Sequence, residues 1–184
     1  MYIELNLPEQ KLNDWAIESF QQDGRKYQKL TKGGITWMVN TPDIVKDFVD
    51  FLTRAEGSIL INGLGIGMCC HHLLAKDTVT DLTVIEYEKD IVELIAPHFE
   101  VDPRCTIIHG DAYTYEPPSG KIYDYVWHDV WTYVSTRNLE EYERLYNKYR
   151  NIAKWQDGWN LQAVRALIEE TNNIYRRQSA NLAL

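Results

Sequence analysis

Three glycines at alternate positions, Gly63, Gly65 and Gly67, follow the apolar run Ser58-Ile59-Leu60-Ile61-Asn62, and an acidic residue, Glu86, closes the next apolar run, Leu82-Thr83-Val84-Ile85. Runs this short and this apolar read as buried strands, and two more follow at 105 to 109 and 123 to 128. Helical spacing fills the gaps: the glycine loop leads into a helix ending near Lys76, and a second helix covers 89 to 96. Strands interleaved with helices need right-handed crossovers and form a parallel sheet. The fold class is α/β.

The flanks follow different rules. Residues 27 to 31 and 35 to 39 flank Lys32-Gly33-Gly34, a turn signal, so this stretch reads as a hairpin with Trp37 and Met38 covering core. After Thr41-Pro42, the residues Ile44, Val45, Phe48, Val49 and Leu52 recur at helical spacing until Gly57. Past Trp131, Asn138 followed by Glu141 marks a helix start, and Leu139, Tyr142, Leu145, Tyr146 and Tyr149 make one apolar stripe. A last helix is expected from near Asp157 through Val164, Leu167, Ile168 and Tyr175 to about Arg177, before a polar tail that frays. One domain over residues 1 to 184 accommodates all of this: a β extension over 1 to 40, the α/β core over 41 to 131 and helices over 132 to 184.

A formal charge of -8 opposes attraction to phosphate backbones and disfavours a nucleic-acid partner. The cluster Arg25, Lys26, Lys29 and Lys32 reads as the solvated face of the hairpin. The first residues, Met1-Tyr2-Ile3-Glu4-Leu5, lack a basic and apolar leader, and no run reaches the roughly 18 apolar residues of a membrane span, so a cytoplasmic location is expected. Cys69, Cys70 and Cys105 are odd in number, and free thiols are expected.

A glycine loop between a strand and a helix exposes amide groups, and its missing β-carbons admit a ligand to the backbone. A carboxylate such as Glu86, at the end of the next strand, is placed to accept hydrogen bonds from ribose hydroxyls. An adenosine-containing ligand is the reading. The bland alternatives are a tight turn for the glycines, a solvated strand end for Glu86 and a turn cap for Asp111. Met68 stands at the sixth loop position, where a nicotinamide dinucleotide fingerprint wants Gly or Ala, which argues against that cofactor.

The order of features from 58 to 131 resembles the S-adenosylmethionine-dependent transferases with a Rossmann-like fold, and among them the spermidine synthase branch. Gly63-Leu64-Gly65-Ile66-Gly67 matches the family's glycine loop, Glu86 with Tyr87 its ribose-binding acid, and Gly110-Asp111-Ala112 its adenine-side loop. Tyr123-Asp124-Tyr125-Val126-Trp127-His128-Asp129 matches its fourth strand, which ends on an acid. Apolar Ile61, where many methyltransferases carry an acid, and Asp102-Pro103-Arg104 both favour the spermidine synthase branch. The chain is also similar to small methyltransferase-like proteins of bacteriophages and bacteria. The resemblance implies S-adenosylmethionine as cofactor, held by Gly63, Gly65, Gly67, Glu86, Tyr87, Asp111 and Ala112. In the aminopropyltransferases the aspartate matching Asp129 orients or deprotonates an amine, which makes Asp129 the catalytic and substrate-binding candidate.

Ligands of open α/β sheets bind beyond the carboxyl ends of the strands, which brings Asp129, His128 and Trp131 to one crevice mouth. Trp131 is a further substrate-binding candidate, because an aromatic face attracts a sulfonium or other cation. Asp129 as a loop brace, His128 as a satisfied core histidine and Trp127 as packing are the structural alternatives. Cys69-Cys70-His71-His72 suggests a metal site, but helix neighbours point about 100° apart and only Cys69 and His72 share a face, so no metal is expected.

Departures from the family pattern matter equally. No Asn-Pro-Pro-Tyr or Asp-Pro-Pro-Tyr follows the fourth strand, no Pro-Cys pair supplies a cytosine nucleophile, and the Tyr-His-Glu element of spermidine synthases is missing near Thr41-Pro42-Asp43. Helices stand where the family adds three more strands, so the parallel sheet is expected to be truncated after its fourth core strand. Three readings remain open: a methyltransferase acting on a small molecule or protein side chain, a non-catalytic ligand-binding or interaction module, and an aminopropyltransferase. A homodimer through the carboxy-terminal helices is compatible with each.

Overall fold

The computed structural model describes residues 1 to 182, with side chains described as far as Ile174. Two sheets share one core. The first is an antiparallel meander of β1 (Gln10–Leu12), β2 (Trp15–Gln22), β3 (Arg25–Lys32) and β4 (Ile35–Val39), in that spatial order. The expected hairpin is thus the second half of a four-stranded sheet. Its inner face is apolar, with Trp15, Ile17 and Leu30 buried, whereas Tyr27 is buried on the opposite face against Tyr2 and Phe20. Before it, the extended residues 1 to 9 are clamped by side-chain amides. Gln28 donates to the Leu7 carbonyl and accepts from the Leu7 amide, at 2.7 and 2.9 Å, and Asn40 donates to the Ile3 carbonyl at 2.8 Å. Such pairing satisfies buried backbone groups that no ladder reaches.

The helix expected after Thr41 forms in three pieces: α1 (Pro42–Val45), a single 3-10 turn (Lys46–Phe48) and α2 (Val49–Arg54). The core then runs β5 (Gly57–Asn62), α3 (Met68–Leu74), β6 (Val79–Glu86), α4 (Lys89–Ile95), β7 (Cys105–His109), β8 (Tyr123–His128), α5 (Arg137–Tyr149), β9 (Ala153–Gly158) and α6 (Leu161–Leu182). Its five strands are all parallel, in the order β7-β6-β5-β8-β9.

The sheet therefore does not stop at its fourth core strand. β9 pairs with β8 from Tyr123 opposite Ala153 to His128 opposite Gly158, where the sequence suggested the approach to a last helix. That helix starts at Leu161 rather than Asp157, and it continues past Arg177 to Leu182. The Tyr175 side chain lies outside the described residues, as do residues 183 and 184 of the tail expected to fray.

Alternation along the central strands divides the core. Ile59 and Ile61 point toward the face carrying α2, α3 and α4, whereas Leu60, Ile85 and Val126 meet Leu145 and Tyr149 of α5 on the other. Trp127 stacks on Phe51 with ring centres 4.8 Å apart, which is the packing role weighed for it. Trp37 differs from expectation: it is 44% exposed and meets Trp15 edge to face, so it covers little of the core. The basic cluster is dispersed over the sheet surface, Lys29 pairing with Glu18 at 2.8 Å and Lys32 with Glu88 at 3.5 Å. Such exposed pairs contribute about 0–1 kcal/mol each. Among the described residues no helix is long and apolar enough to cross a membrane.

Candidate functional site

From β5 the chain moves to β6 and β7 on one side, then returns to β8 and β9 on the other, so strand order reverses between β5 and β8. The carboxyl ends of the strands splay at such a point and leave a crevice. Backbone hydrogen bonds tie its rim together. The Gly63 amide donates to the Ile85 carbonyl at 2.8 Å, the Asp129 amide to Asn62 at 2.7 Å and the Gly110 amide to Glu86 at 2.8 Å. The residues directly after β5, β7 and β8 are thereby held in one layer.

Above this layer lies a cavity of about 680 Å³, bordered by Gly63, Gly65, Glu86, Tyr87, Asp111, Ala112, Asp129 and Trp131. Its size falls within the roughly 300–1,000 Å³ of small-molecule sites. Eight of the residues singled out in the sequence meet there. Gly67 does not. It takes φ +77 at the start of α3, and a β-carbon there would run into the ring of Phe99, so its glycine serves helix packing.

Glu86 is buried, with both carboxyl oxygens in use: one accepts the Leu64 amide of the glycine loop and the other the Glu88 amide, each at 2.8 Å. Burial raises its pKa while those amides oppose the rise. Each oxygen keeps a second lone pair for a ligand hydroxyl. Asp111 accepts the Tyr113 amide at 2.8 Å, so it does cap a turn, yet it also borders the cavity. Ala112 is buried behind it, its carbonyl accepting the Tyr149 hydroxyl at 2.8 Å. Tyr87 is 69% exposed at the mouth.

Asp129 makes no side-chain hydrogen bond among the described residues. Desolvation, helped by the nearby Glu86 charge, moves its carboxyl up to about 7. The side chain is only half-buried, so cavity water moderates that shift. A carboxyl poised near neutrality is suited to taking up a proton at physiological pH.

His128, the residue before it, faces the other way. It is fully buried, and Gln156 fixes its protonation: the Gln156 amide nitrogen donates to the Tyr146 carbonyl, leaving its oxygen to accept from His128 Nε2 at 3.1 Å. Nδ1 then accepts from Asn62 at 2.8 Å. Burial lowers this imidazole to about 4, and it is neutral. The satisfied-core reading of His128 is the one the geometry matches.

Trp131 donates its indole N–H to Glu141 of α5 at 2.6 Å. Glu141, Glu88, Trp37, Met38 and Trp159 also border the cavity, a role that no sequence motif marks. Four consecutive β4 residues, Thr36 to Val39, contribute to the lining. Successive side chains leave a strand on opposite faces, so what these four share is the strand's outer edge. Elsewhere, Cys69, Cys70 and Cys105 are buried free thiols, and the Cys70 thiol lies against Cys105. His71 is exposed and His72 half-buried on the same helix; among the described residues no three His, Cys, Asp or Glu side chains are grouped to hold a metal.

No protein-family model matches the chain, and no curated protein does. Solved structures do. Spermidine synthase from Thermotoga maritima superimposes with a TM-score of 0.52 at 16% identity, over 80% of this chain and 52% of that one. The two share a fold. Weaker likenesses include the CcbJ methyltransferase from Streptomyces caelestis, with a TM-score of 0.46 at 18% identity over 62% of this chain and 46% of that one. The N-methyltransferase NodS from Bradyrhizobium japonicum WM9 gives 0.45 at 10%, over 60% and 58%. The chain spans about half the length of the solved structures it matches.

Proposed function

We propose that the protein is an S-adenosylmethionine-dependent methyltransferase acting on a small molecule or a protein side chain. One observation carries this reading: the glycine loop, the Glu86 carboxylate, the Asp111-Ala112 turn and the Asp129 carboxyl all border one cavity at the reversal point of a parallel sheet. The residues fit the donor. Gly63 and Gly65 present bare backbone, Glu86 keeps lone pairs for ribose hydroxyls, and Asp111 retains an oxygen for the adenine amino group. Trp131 and Trp37 offer aromatic faces to a sulfonium.

When bound, S-adenosylmethionine supplies an electrophilic methyl group on sulfur. The chain's task is then to align the acceptor with it and exclude competing water, and such orientation accounts for much of a bimolecular reaction's barrier. Asp129 takes the proton that the acceptor releases, which its position and its near-neutral titration both allow.

Calorimetry of S-adenosylhomocysteine binding tests this. Glu86→Ala is expected to weaken binding by about 10–100-fold, because the net loss amounts to about one charge-assisted hydrogen bond to the ribose, roughly 1.5–3 kcal/mol. No binding to the parent protein, or unchanged affinity in the variant, would overturn the reading. Aminopropyl transfer remains a second reading on one observation: among the described residues, no Lys, Arg or His borders the cavity to meet a donor carboxylate. A decarboxylated donor that binds more tightly than S-adenosylmethionine would favour it.

A further inference from the structure

We infer that Tyr149 of α5 is a positioning residue of the donor site: by holding the Ala112 carbonyl its hydroxyl aims the Asp111 carboxylate, and so sets a preference for adenine over other bases. The inference rests on the donor-site reading above. Tyr149 is fully buried, and its hydroxyl donates to the Ala112 carbonyl at 2.8 Å across 37 residues of chain. That carbonyl shares a peptide unit with the Tyr113 N–H, which donates to Asp111 Oδ1 at 2.8 Å. A trans peptide is planar, with its oxygen and its hydrogen on opposite sides. Fixing the oxygen toward α5 therefore fixes the N–H toward Asp111, and with it the carboxylate whose other oxygen is left for the adenine amino group.

The turn is otherwise held from within. The Thr114 and Tyr115 amides donate to the Asp111 carbonyl at 3.0 and 2.7 Å, bonds that close the turn on itself without tying it to the body of the fold. Ahead of it, the Gly110 amide is anchored to Glu86. Past that point, the bond from Tyr149 is the buried one that joins the turn to another element among the described residues. α5 adds two contacts nearer the surface: the Arg144 guanidinium lies 4.7 Å from the centre of the Tyr113 ring, and Lys148 meets exposed Glu116 at 2.9 Å. Hydrogen bonds linked through one peptide group polarise each other, so the hydroxyl also strengthens the Tyr113 N–H as a donor to Asp111. Phenylalanine at this position would keep the packing of the ring. What it removes is the constraint on the peptide plane, which two soft dihedrals are then free to turn.

Three ligands separate the base from the rest of the donor: S-adenosylhomocysteine, S-inosylhomocysteine, which carries an oxygen in place of the amino group, and S-ribosylhomocysteine, which has no base. Each is titrated calorimetrically into the intact parent and into Tyr149→Phe, at a temperature where both are folded. The parent is expected to prefer the adenosyl over the inosyl compound by at least about 10-fold, because a site built around a hydrogen bond rejects the analogue lacking it. Tyr149→Phe should weaken S-adenosylhomocysteine about 3–10-fold, shrink that preference to about 3-fold or less and leave S-ribosylhomocysteine unmoved. Leu52→Ala is the control, since it empties buried space on the opposite side of the sheet and lowers stability without touching the turn. Its preference should equal the parent's.

Hydrogen exchange gives a reading on the parent alone. The Tyr113 amide should exchange about 10-fold more slowly with saturating S-adenosylhomocysteine than with saturating S-ribosylhomocysteine. Equal affinities of the parent for the adenosyl and inosyl compounds, an unchanged preference in Tyr149→Phe, an equal loss of preference in Leu52→Ala, or equal exchange with both ligands would each overturn the inference. So would a uniform loss of affinity for all three ligands in Tyr149→Phe, because that reports general loosening. Failure of the donor reading looks different, since S-adenosylhomocysteine would then not bind the parent at all.

Discussion

Replacing Asp129 by asparagine is expected to make the protein more stable than its parent at pH 8 while slowing turnover about 10²–10⁴-fold, the usual contribution of a general base. The stability gain follows from linkage. Asp129 is raised from an ordinary carboxyl value to about 7 in the folded protein, so folding favours its protonated form. Its contribution is intact below pH 4 and is lost as pH rises through 7, where the folded protein must carry a desolvated charge beside Glu86. A shift of that size corresponds to at most about 4 kcal/mol, and cavity water brings the expected gain at pH 8 to about 1–3 kcal/mol. Thermal unfolding of both proteins at pH 4 and pH 8 checks this: the melting temperatures should coincide at pH 4 and separate at pH 8. A variant that is destabilised at pH 8, or one that retains full turnover, contradicts the role given to Asp129.

Gly63→Ala is expected to cost more than about 3 kcal/mol, lowering the melting temperature by roughly 10 °C in a chain of this size. Gly63 takes φ +104, and a β-carbon there would collide with the Asp129 carbonyl. That obstacle is backbone, held by the hydrogen bonds that the Asp129 N–H donates to the Asn62 carbonyl at 2.7 Å and the Gly63 N–H to the Ile85 carbonyl at 2.8 Å, so it has nowhere to move. Gly65→Ala is the control. Its φ of +54 is milder, and its β-carbon would meet only the thioether of Met38, which can swing away. That change should cost about 1 kcal/mol, as an ordinary left-handed residue does. Equal losses for the two variants would contradict this account of the loop.

Much of the fold was legible because β5 and β6 are buried on both faces over most of their length and read as continuous apolar runs, while β7 and β8 keep shorter buried apolar stretches. β9 was not. Its sequence, Ala-Lys-Trp-Gln-Asp-Gly, belongs to an edge strand with mostly half-buried positions, and its closing Asp157-Gly158 resembles a turn. β2 escaped for a related reason: only its inner face, Trp15 and Ile17, is fully buried, and its later residues are polar. The site residues at strand ends followed from a topological rule that sequence order makes visible. Trp37, Glu141 and Trp159 come from elements outside the parallel core's first half and reach the cavity only through tertiary packing. Gly67 looked identical to Gly63 and Gly65 in the sequence, and only the approach of Phe99 separates their roles.

The walls of the cavity are drawn from residues as far apart as Thr36 and Trp159, with β4 supplying a strip along one side. During synthesis, therefore, no competent pocket exists until nearly the whole of that stretch has left the ribosome. A nascent chain halted after β8 already contains the glycine loop, Glu86, Glu88 and Asp111, but lacks the stretch of wall that Trp131, Glu141 and Trp159 supply.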